Sequence, residues 1–181
     1  MVNTVLDGER RPEIPGIESA GSDPAKLAPA HLVLDVCADR FDAVAEYGCR
    51  ADGFAAYIAG QMILTIFLHA TEEDSFTTAA KQAAAEAAAA GFPVQAFDYD
   101  LVGTGDIAAR INCARQTVRQ YIAGSRGPGG FPAPFGSTGH SSVWDWGSVN
   151  AWFRTHHGTG DPGYLPARAV LQRLNHWLLT Q

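Results

Sequence analysis

Residues 104–124 carry two short apolar periodicities separated by an asparagine, the pattern of two helices joined by a tight turn. Ile107 and Ile111 recur at helical spacing, and Thr104 is placed to cap the helix that they predict. Asn112 follows where that helix must end, because asparagine tolerates the left-handed conformation found after a helix C-terminus. The segment is therefore predicted to form a compact helical hairpin.

The second helix of this hairpin has one apolar face and one polar face. Val118, Tyr121 and Ile122 supply the apolar stripe. The outward positions are occupied by Arg115, Gln116, Arg119 and Gln120. Arginine can pair with guanine, glutamine with adenine, and both can bind phosphate oxygens. This face is a candidate surface for DNA.

The segment after the hairpin is rich in turn residues and then in aromatic residues. Phe131 and Phe135 precede a Gly/Ser-rich tip within 136–142, and Val143 and Trp144 follow it, which predicts a two-stranded hairpin. A further helix is predicted by a run of apolar residues at helical spacing: Trp146, Val149, Trp152 and Phe153.

The helix pair, the Phe131–Pro134 segment, the hairpin and the Trp144–Trp152 pattern together resemble the winged helix-turn-helix of the MerR, excisionase and AlpA-type superfamily. The best match is to small actinobacterial DNA-binding proteins with this module behind an α/β domain. The resemblance covers residues 100 to about 157, under a third of the chain. It implies binding of double-stranded DNA, with the second helix in the major groove and the wing on the flanking backbone or minor groove. The expected DNA-binding residues are Thr104, Arg115, Gln116, Thr117, Arg119, Gln120, Arg126 and His140.

The distribution of charge agrees with a polyanionic partner for the C-terminal half. Residues 1–100 contain sixteen acidic and six basic side chains, a net charge of −10. Residues 101–181 contain three acidic side chains and seven arginines, a net charge of +4, although the whole chain has a net charge of −6. A basic region is what a nucleic-acid partner requires.

Residues 30–99 show a different pattern, in which apolar β-prone runs alternate with helix formers. The predicted strands are 31–37, 54–58, 62–68 and 94–99, and the predicted helices are 40–49 and 75–90. This β-α-β-β-α-β order predicts a ferredoxin-like domain, so the expected class is α+β: a ferredoxin-like domain, a winged helix-turn-helix and a C-terminal helix.

A homodimer is expected on geometric grounds. A ferredoxin-like sheet leaves one face open, and it has same-parity apolar positions that can fill a face: Leu32, Leu34, Met62, Leu64, Ile66 and Leu68. The predicted C-terminal helix, Leu165–Leu179, also carries an apolar stripe that can pack on its own winged domain or pair with a second subunit. Two winged helices related by a two-fold axis would read an inverted repeat.

The expected organisation is a poorly ordered arm (1–29), the ferredoxin-like domain (30–99), the winged helix-turn-helix (100–157), and a hinge with a C-terminal helix (158–181). Three cysteines without paired spacing and the lack of a signal-peptide pattern favour a cytoplasmic protein with reduced thiols. No catalytic motif, cofactor motif, metal-ligand spacing or membrane segment is recognisable.

The sequence leaves three other functions open. An excisionase-like architectural or recombination accessory protein would bend DNA. A protein-interaction module would keep its function after Arg115 and Arg119 are neutralised. A small-molecule sensor acting through the ferredoxin-like domain would show a melting temperature that a metabolite shifts. The expected function remains that of a sequence-specific transcriptional regulator.

Overall fold

A computed structural model describes residues 26–138 and 141–181 of the chain. Within these residues the fold is α+β, with six α-helices and two antiparallel sheets. The elements are β1 (Leu27–Leu34), α1 (Phe41–Arg50), β2 (Gly53–Ile58), β3 (Gln61–His69), α2 (Glu73–Ala89), β4 (Val94–Phe97), β5 (Leu101–Val102), α3 (Thr104–Arg110), α4 (Arg115–Ile122), β6 (Gly136–Thr138), β7 (Ser141–Asp145), α5 (Trp146–His157) and α6 (Arg168–Leu178). A single 3-10 turn, Ala38–Arg40, precedes α1.

The first sheet has the strand order β2-β3-β1-β4, and every neighbouring pair is antiparallel. The strand and helix order expected from the sequence is present over residues 27–97. The first strand begins at Leu27, four residues earlier than expected, and Leu27 pairs with His69. Residues 27–29 therefore belong to the sheet and not to the expected arm, of which residues 1–25 lie outside the described part.

One face of this sheet forms the larger core of the protein. The six same-parity aliphatic residues expected to share a face are all buried on it, against α1 and α2. The opposite parity of β2 and β3 leaves Phe54 and Phe67 exposed on the outer face.

Helix α2 begins two residues earlier and ends one residue earlier than the predicted range of 75–90. The backbone N–H of Glu72 donates to the Ser75 hydroxyl, which in turn donates to the Glu72 carbonyl, so the start is capped locally. Gly91 adopts a φ of 88°, the left-handed conformation that ends helices at low cost in glycine. The alanine-rich face that contacts the core lets the helix approach the sheet closely.

Helix α6 lies in a different place from either of the two expected. Its stripe of Val170, Leu171 and Leu174 is buried in the core of the first sheet, not against the tryptophans of the second unit. The Asn175 side chain also bonds both backbone groups of Phe97 at the edge of β4. The apolar stripe is thus covered within the chain, so it does not require a second subunit.

The second unit consists of a three-stranded sheet, β5-β7-β6, and helices α3, α4 and α5. The hairpin predicted from the aromatic flanks is formed by β6 and β7, with Gly136 paired to Val143. The four apolar residues predicted to form one face of α5 are all buried in the core of this unit: Trp146, Val149, Trp152 and Phe153. Asp145 caps α5 by accepting from the Ser148 backbone N–H at 2.9 Å and the Ser148 hydroxyl at 2.7 Å.

Candidate nucleic-acid interface

Helices α3 and α4 form the hairpin that the sequence predicts. Asn112 has a φ of 51°, which confirms the expected left-handed residue at the end of the first helix. The backbone N–H of Cys113 donates to the Ala108 carbonyl at 2.8 Å and closes the turn. Ile107 and Val118 are fully buried and join the two helices to the aromatic core.

The cap of α3 differs from the expectation by one residue. Gly103 occupies the N-cap position, and Thr104 is the first helical residue with no capping hydrogen bond from its side chain. The Gly103 backbone N–H donates to the Asp106 carboxylate at 2.8 Å. Because Asp106 stands three positions after Gly103, its carboxylate can accept the Gly103 N–H, which favours Gly103 over Thr104 as the cap.

A groove of about 440 Å³ lies between the start of α3, the exposed side of α4 and strand β7. Its lining is predominantly polar and comprises Gly103, Thr104, Gly105, Asp106, Arg115, Arg119, Ile122, Ser141, Ser142, Val143 and Trp144. The groove is therefore lined by three residues with hydroxyl side chains and by two arginines, together with the acidic Asp106. Such a set of donors suits phosphate oxygens and the polar edges of bases.

The two arginines of the groove are exposed and have no carboxylate partner within the described residues. They lie one helical turn apart on α4, on the same side of the helix. A methyl group on Gly105 would lie 2.5 Å from Nη2 of Arg115, so the guanidinium of Arg115 packs directly on the glycine. Gly105 thus leaves the space in which Arg115 lies.

Three other arginines of the C-terminal half, Arg110, Arg168 and Arg173, contact a carboxylate or an aromatic ring. Arg110 donates two hydrogen bonds to the carboxylate of Asp100, at 2.5 and 2.8 Å, and its guanidinium lies 4.8 Å from the ring centre of Trp146. The hydrogen bond to Asp100 raises the pKa of Arg110. Arg168 lies 4.2 Å from the ring centre of Phe135.

Arg173 forms an ion pair with Glu73 on the first unit. The net charge of +4 in residues 101–181 is therefore not presented on one surface. In the part of the chain that the structure describes, the cationic character of the groove comes from Arg115 and Arg119 alone.

The structure brings together only part of the expected set of residues. Thr104, Arg115 and Arg119 share the groove, and Gln116 is exposed next to it on α4. Thr117 and Gln120 are half-buried.

Of the last two expected residues, the structure describes only Arg126. Arg126 is exposed and lies 5.7 Å from the ring centre of Tyr121, outside the lining of the groove. His140 lies outside the described residues.

Sequence reasoning missed the two serines of β7 that line the groove. The sequence places Ser141 and Ser142 only in a hairpin tip, because nothing local distinguishes them from ordinary turn residues. Their position depends on the pairing of β7 with β5, in which Val102 lies opposite Trp144. That pairing joins residues more than forty positions apart, and the two-residue strand β5 leaves no readable pattern in the sequence.

No group of three or more His, Cys, Asp or Glu side chains in residues 26–138 and 141–181 lies close enough together to hold a metal ion. Among the helices of those residues, none combines the length and the apolar character needed to cross a membrane. Comparison of the chain with family models, curated proteins and solved structures gives no match.

Proposed function

We propose that this chain is a double-stranded DNA-binding protein, a sequence-specific transcriptional regulator whose α3–α4 pair and β6–β7 hairpin act as a winged helix-turn-helix of the MerR, excisionase and AlpA type. The observation that carries the proposal is the groove in which Arg115 and Arg119 face outward without a carboxylate partner among the described residues. Elsewhere in residues 101–181, Arg110 and Arg173 are paired with carboxylates.

In this proposal α4 enters the major groove and the wing follows the adjacent backbone. Gln116 and Arg119 are exposed on α4 and would reach base edges. Arg115, which packs on Gly105, would bind a backbone phosphate together with the hydroxyl groups of Thr104 and Ser142. Phosphate contacts fix the position of the helix, and base contacts give sequence specificity.

The N-terminal unit has a separate role in the proposal. Its strand order, with β1 and β3 at the centre of the sheet, supports a ferredoxin-like interpretation. Residues 1–100 have a net charge of −10, so electrostatic repulsion would direct this part of the chain away from the duplex. It would therefore add no phosphate contacts.

The test is the affinity of the full chain for labelled duplexes selected from genomic DNA, measured by fluorescence anisotropy. Arg115→Ala with Arg119→Ala should weaken binding about 10- to 100-fold for each arginine that contacts DNA, the equivalent of about 1–3 kcal/mol. The matched control, Lys81→Ala with Arg173→Ala, removes the same charge from one cation of the sheet unit and from one arginine that is paired with Glu73. It should leave affinity within about twofold.

Salt dependence provides a second and independent test. Each neutralised phosphate contributes about −0.9 to the slope of log affinity against log salt concentration. We expect a clearly negative slope for the wild-type chain and a shallower one after loss of both groove arginines. Equal affinity of the groove variant and the wild type, or a slope of zero, would contradict DNA binding by this surface.

A further inference from the structure

The two edge strands of the first sheet differ in whether another part of the chain covers them. At the β4 edge, the Asn175 side chain accepts from the Phe97 N–H at 2.6 Å and donates to the Phe97 carbonyl at 3.0 Å. Helix α6 thereby occupies the place of a further strand. At the opposite edge, β2 has only β3 as a neighbouring strand within the described residues. An exposed strand edge can pair with another strand.

The geometry of the β2–β3 hairpin identifies the free backbone groups. Its turn consists of Ala59 and Gly60, with φ of 51° and 85°, so Ile58 and Gln61 form the closing hydrogen-bonded pair. Hydrogen-bonded and non-bonded pairs alternate along an antiparallel ladder. Residues 54, 56 and 58 therefore bond β3, while 53, 55 and 57 direct their N–H and C=O groups outward.

The next bond along the ladder agrees with this alternation. The Phe67 N–H donates to the Asp52 carbonyl at 3.1 Å, which continues the even-numbered set of bonded residues on this strand. The free edge thus offers the backbone groups of three alternate residues: Gly53, Ala55 and Tyr57.

The side chains of this edge are apolar and exposed on both faces. Phe54, Tyr57 and Ile58 are 48, 48 and 56% exposed, and Phe67 beside Phe54 is 37% exposed. Residues 53–60 contain no charged side chain and no proline. Edge strands that stay unpaired usually carry a lysine, a proline or a bulge, because these discourage pairing. The β2 edge lacks all three devices.

We infer that β2 pairs antiparallel with β2 of a second copy of the chain, so that two sheets join into one eight-stranded sheet around a two-fold axis. Centring the pair on Ala55 uses all three outward residues, because Gly53 then lies opposite Tyr57 of the second copy. The same register places Phe54 beside Ala56 of the second copy. In each of these two pairs a large side chain lies beside a small one. Any other register leaves at least one of the three outward residues unpaired.

Charge favours a second copy of the chain over a charged peptide as the occupant of this edge. Helix α1 packs over β2, with Asp42 in its first turn and Arg50 in its last. A two-fold axis makes the two α1 helices antiparallel, so the first turn of one copy, with Asp42, lies beside the last turn of the other, where Arg50 also pairs with Glu46. The neutral strand between them offers a charged peptide no partner.

The apolar area also suits a dimer. The exposed parts of Phe54, Tyr57 and Phe67 amount to roughly 250 Å² per copy, given about 200 Å² for a whole aromatic side chain. Ile58, the strand backbone and the facing sides of α1 add to this. Stable interfaces bury roughly 1,200 Å² or more in total, so the backbone hydrogen bonds of the paired edges would have to supplement this apolar area.

The first experiment measures the mass and the amide exchange of the wild-type chain without DNA, so its outcome does not depend on the proposed function. Sedimentation equilibrium at micromolar concentration should give a dimer. The amides of Gly53, Ala55 and Tyr57 should exchange with solvent at least about tenfold more slowly than their intrinsic rates. A monomer, or a dimer in which these three amides exchange at intrinsic rates, would overturn the inference.

The second experiment uses a pair of variants. Ala55→Pro removes an outward N–H that β3 does not use, and proline is tolerated at such edge positions, so this variant should sediment as a folded monomer. Ile58→Lys leaves the outward backbone intact but places a lysine on the edge and removes part of the apolar area, so it should weaken the dimer without abolishing it. A dimer that persists in Ala55→Pro would overturn the inference, whatever the behaviour of Ile58→Lys.

Discussion

The hydrophobic cores of the two units differ in the types of side chain that fill them. The sheet unit packs alanine faces of α2, with Ala80, Ala84 and Ala87 nearly or fully buried, against a broad aliphatic sheet. The second unit packs rings, chiefly Trp146 and Phe153, between short helices. Helices of seven and eight residues, such as α3 and α4, are not stable alone and depend on tertiary packing. A few large rings supply that packing and leave one side of each helix polar.

The largest expected effect tests how far the second unit depends on single rings. Trp146 is buried, its indole N–H donates to the Asp161 carboxylate at 2.7 Å, and Arg110 lies over its ring. Trp146→Ala should lower the free energy of unfolding by about 3–5 kcal/mol, measured by urea denaturation. Trp177→Ala removes a half-buried ring of α6 and should cost clearly less. Equal losses would contradict the comparison of the two cores.

The next effect concerns the covered edge of the sheet unit. Asn175→Ala removes the side chain that bonds both backbone groups of Phe97. The expected loss is about 1–3 kcal/mol in the free energy of unfolding, because the N–H and C=O of Phe97 lose their partners. Gln172→Ala, at an exposed position of the same helix, serves as the control. A loss no larger than that of the control would mean that water replaces Asn175 at no cost.

A smaller effect concerns the groove of the second unit and rests on the proposed function. Gly105→Ala should displace the Arg115 guanidinium, because the added methyl group would lie 2.5 Å from its Nη2. DNA affinity should fall up to about tenfold, while alanine, a better helix former, leaves the stability of α3 unchanged or higher. In an Arg115→Ala background the same substitution should change nothing. An equal loss in both backgrounds would show that Gly105 does not act through Arg115.

The smallest expected effect is a pH dependence at the junction of the two units. Burial lowers the pKa of His31, whose Nδ1 lies 2.9 Å from the Thr65 hydroxyl, although Asp100 and Asp98 act in the opposite direction. The unfolded chain therefore takes up this proton near the ordinary value of 6.5, at a higher pH than the folded chain. The free energy of unfolding should be constant above that pH and should fall as the pH drops through it.

The decline in stability should end below the folded pKa, where both states are protonated. Urea denaturation over a series of pH values measures the slope, and His31→Gln should make it shallower. An unchanged slope would assign the pH dependence to other groups.

The parts of the fold that the sequence predicts are those with a local cause. The alternation in β3 and the helix formers of α2 are read within one segment, and so is the polar face of α4 around Arg115 and Arg119. Asn112 is predictable for the same reason, because its left-handed conformation depends on its own side chain.

What the sequence does not predict depends on distant partners. The stripe of α6 would suit any apolar surface, and only the fold decides that it packs beside β4. Arg110 likewise counts as a positive charge of the basic half in the sequence, but its ion pair with Asp100 neutralises that charge. The shift of the α3 cap to Gly103 depends on a competition between two adjacent residues that local preferences do not resolve.

Because α6 packs in the core of the first sheet, the two units do not follow one another along the chain. The second unit is an inserted domain, because the sheet unit continues on both sides of it in the sequence. It is attached at two points, through residues 98–100 and 158–167, and not at the end of one flexible linker. Two attachments restrict its rotation relative to the sheet, so any symmetry imposed on two sheets is passed on to the two inserted domains. Truncation after α5 would not trim a tail but would remove part of the core of the sheet unit.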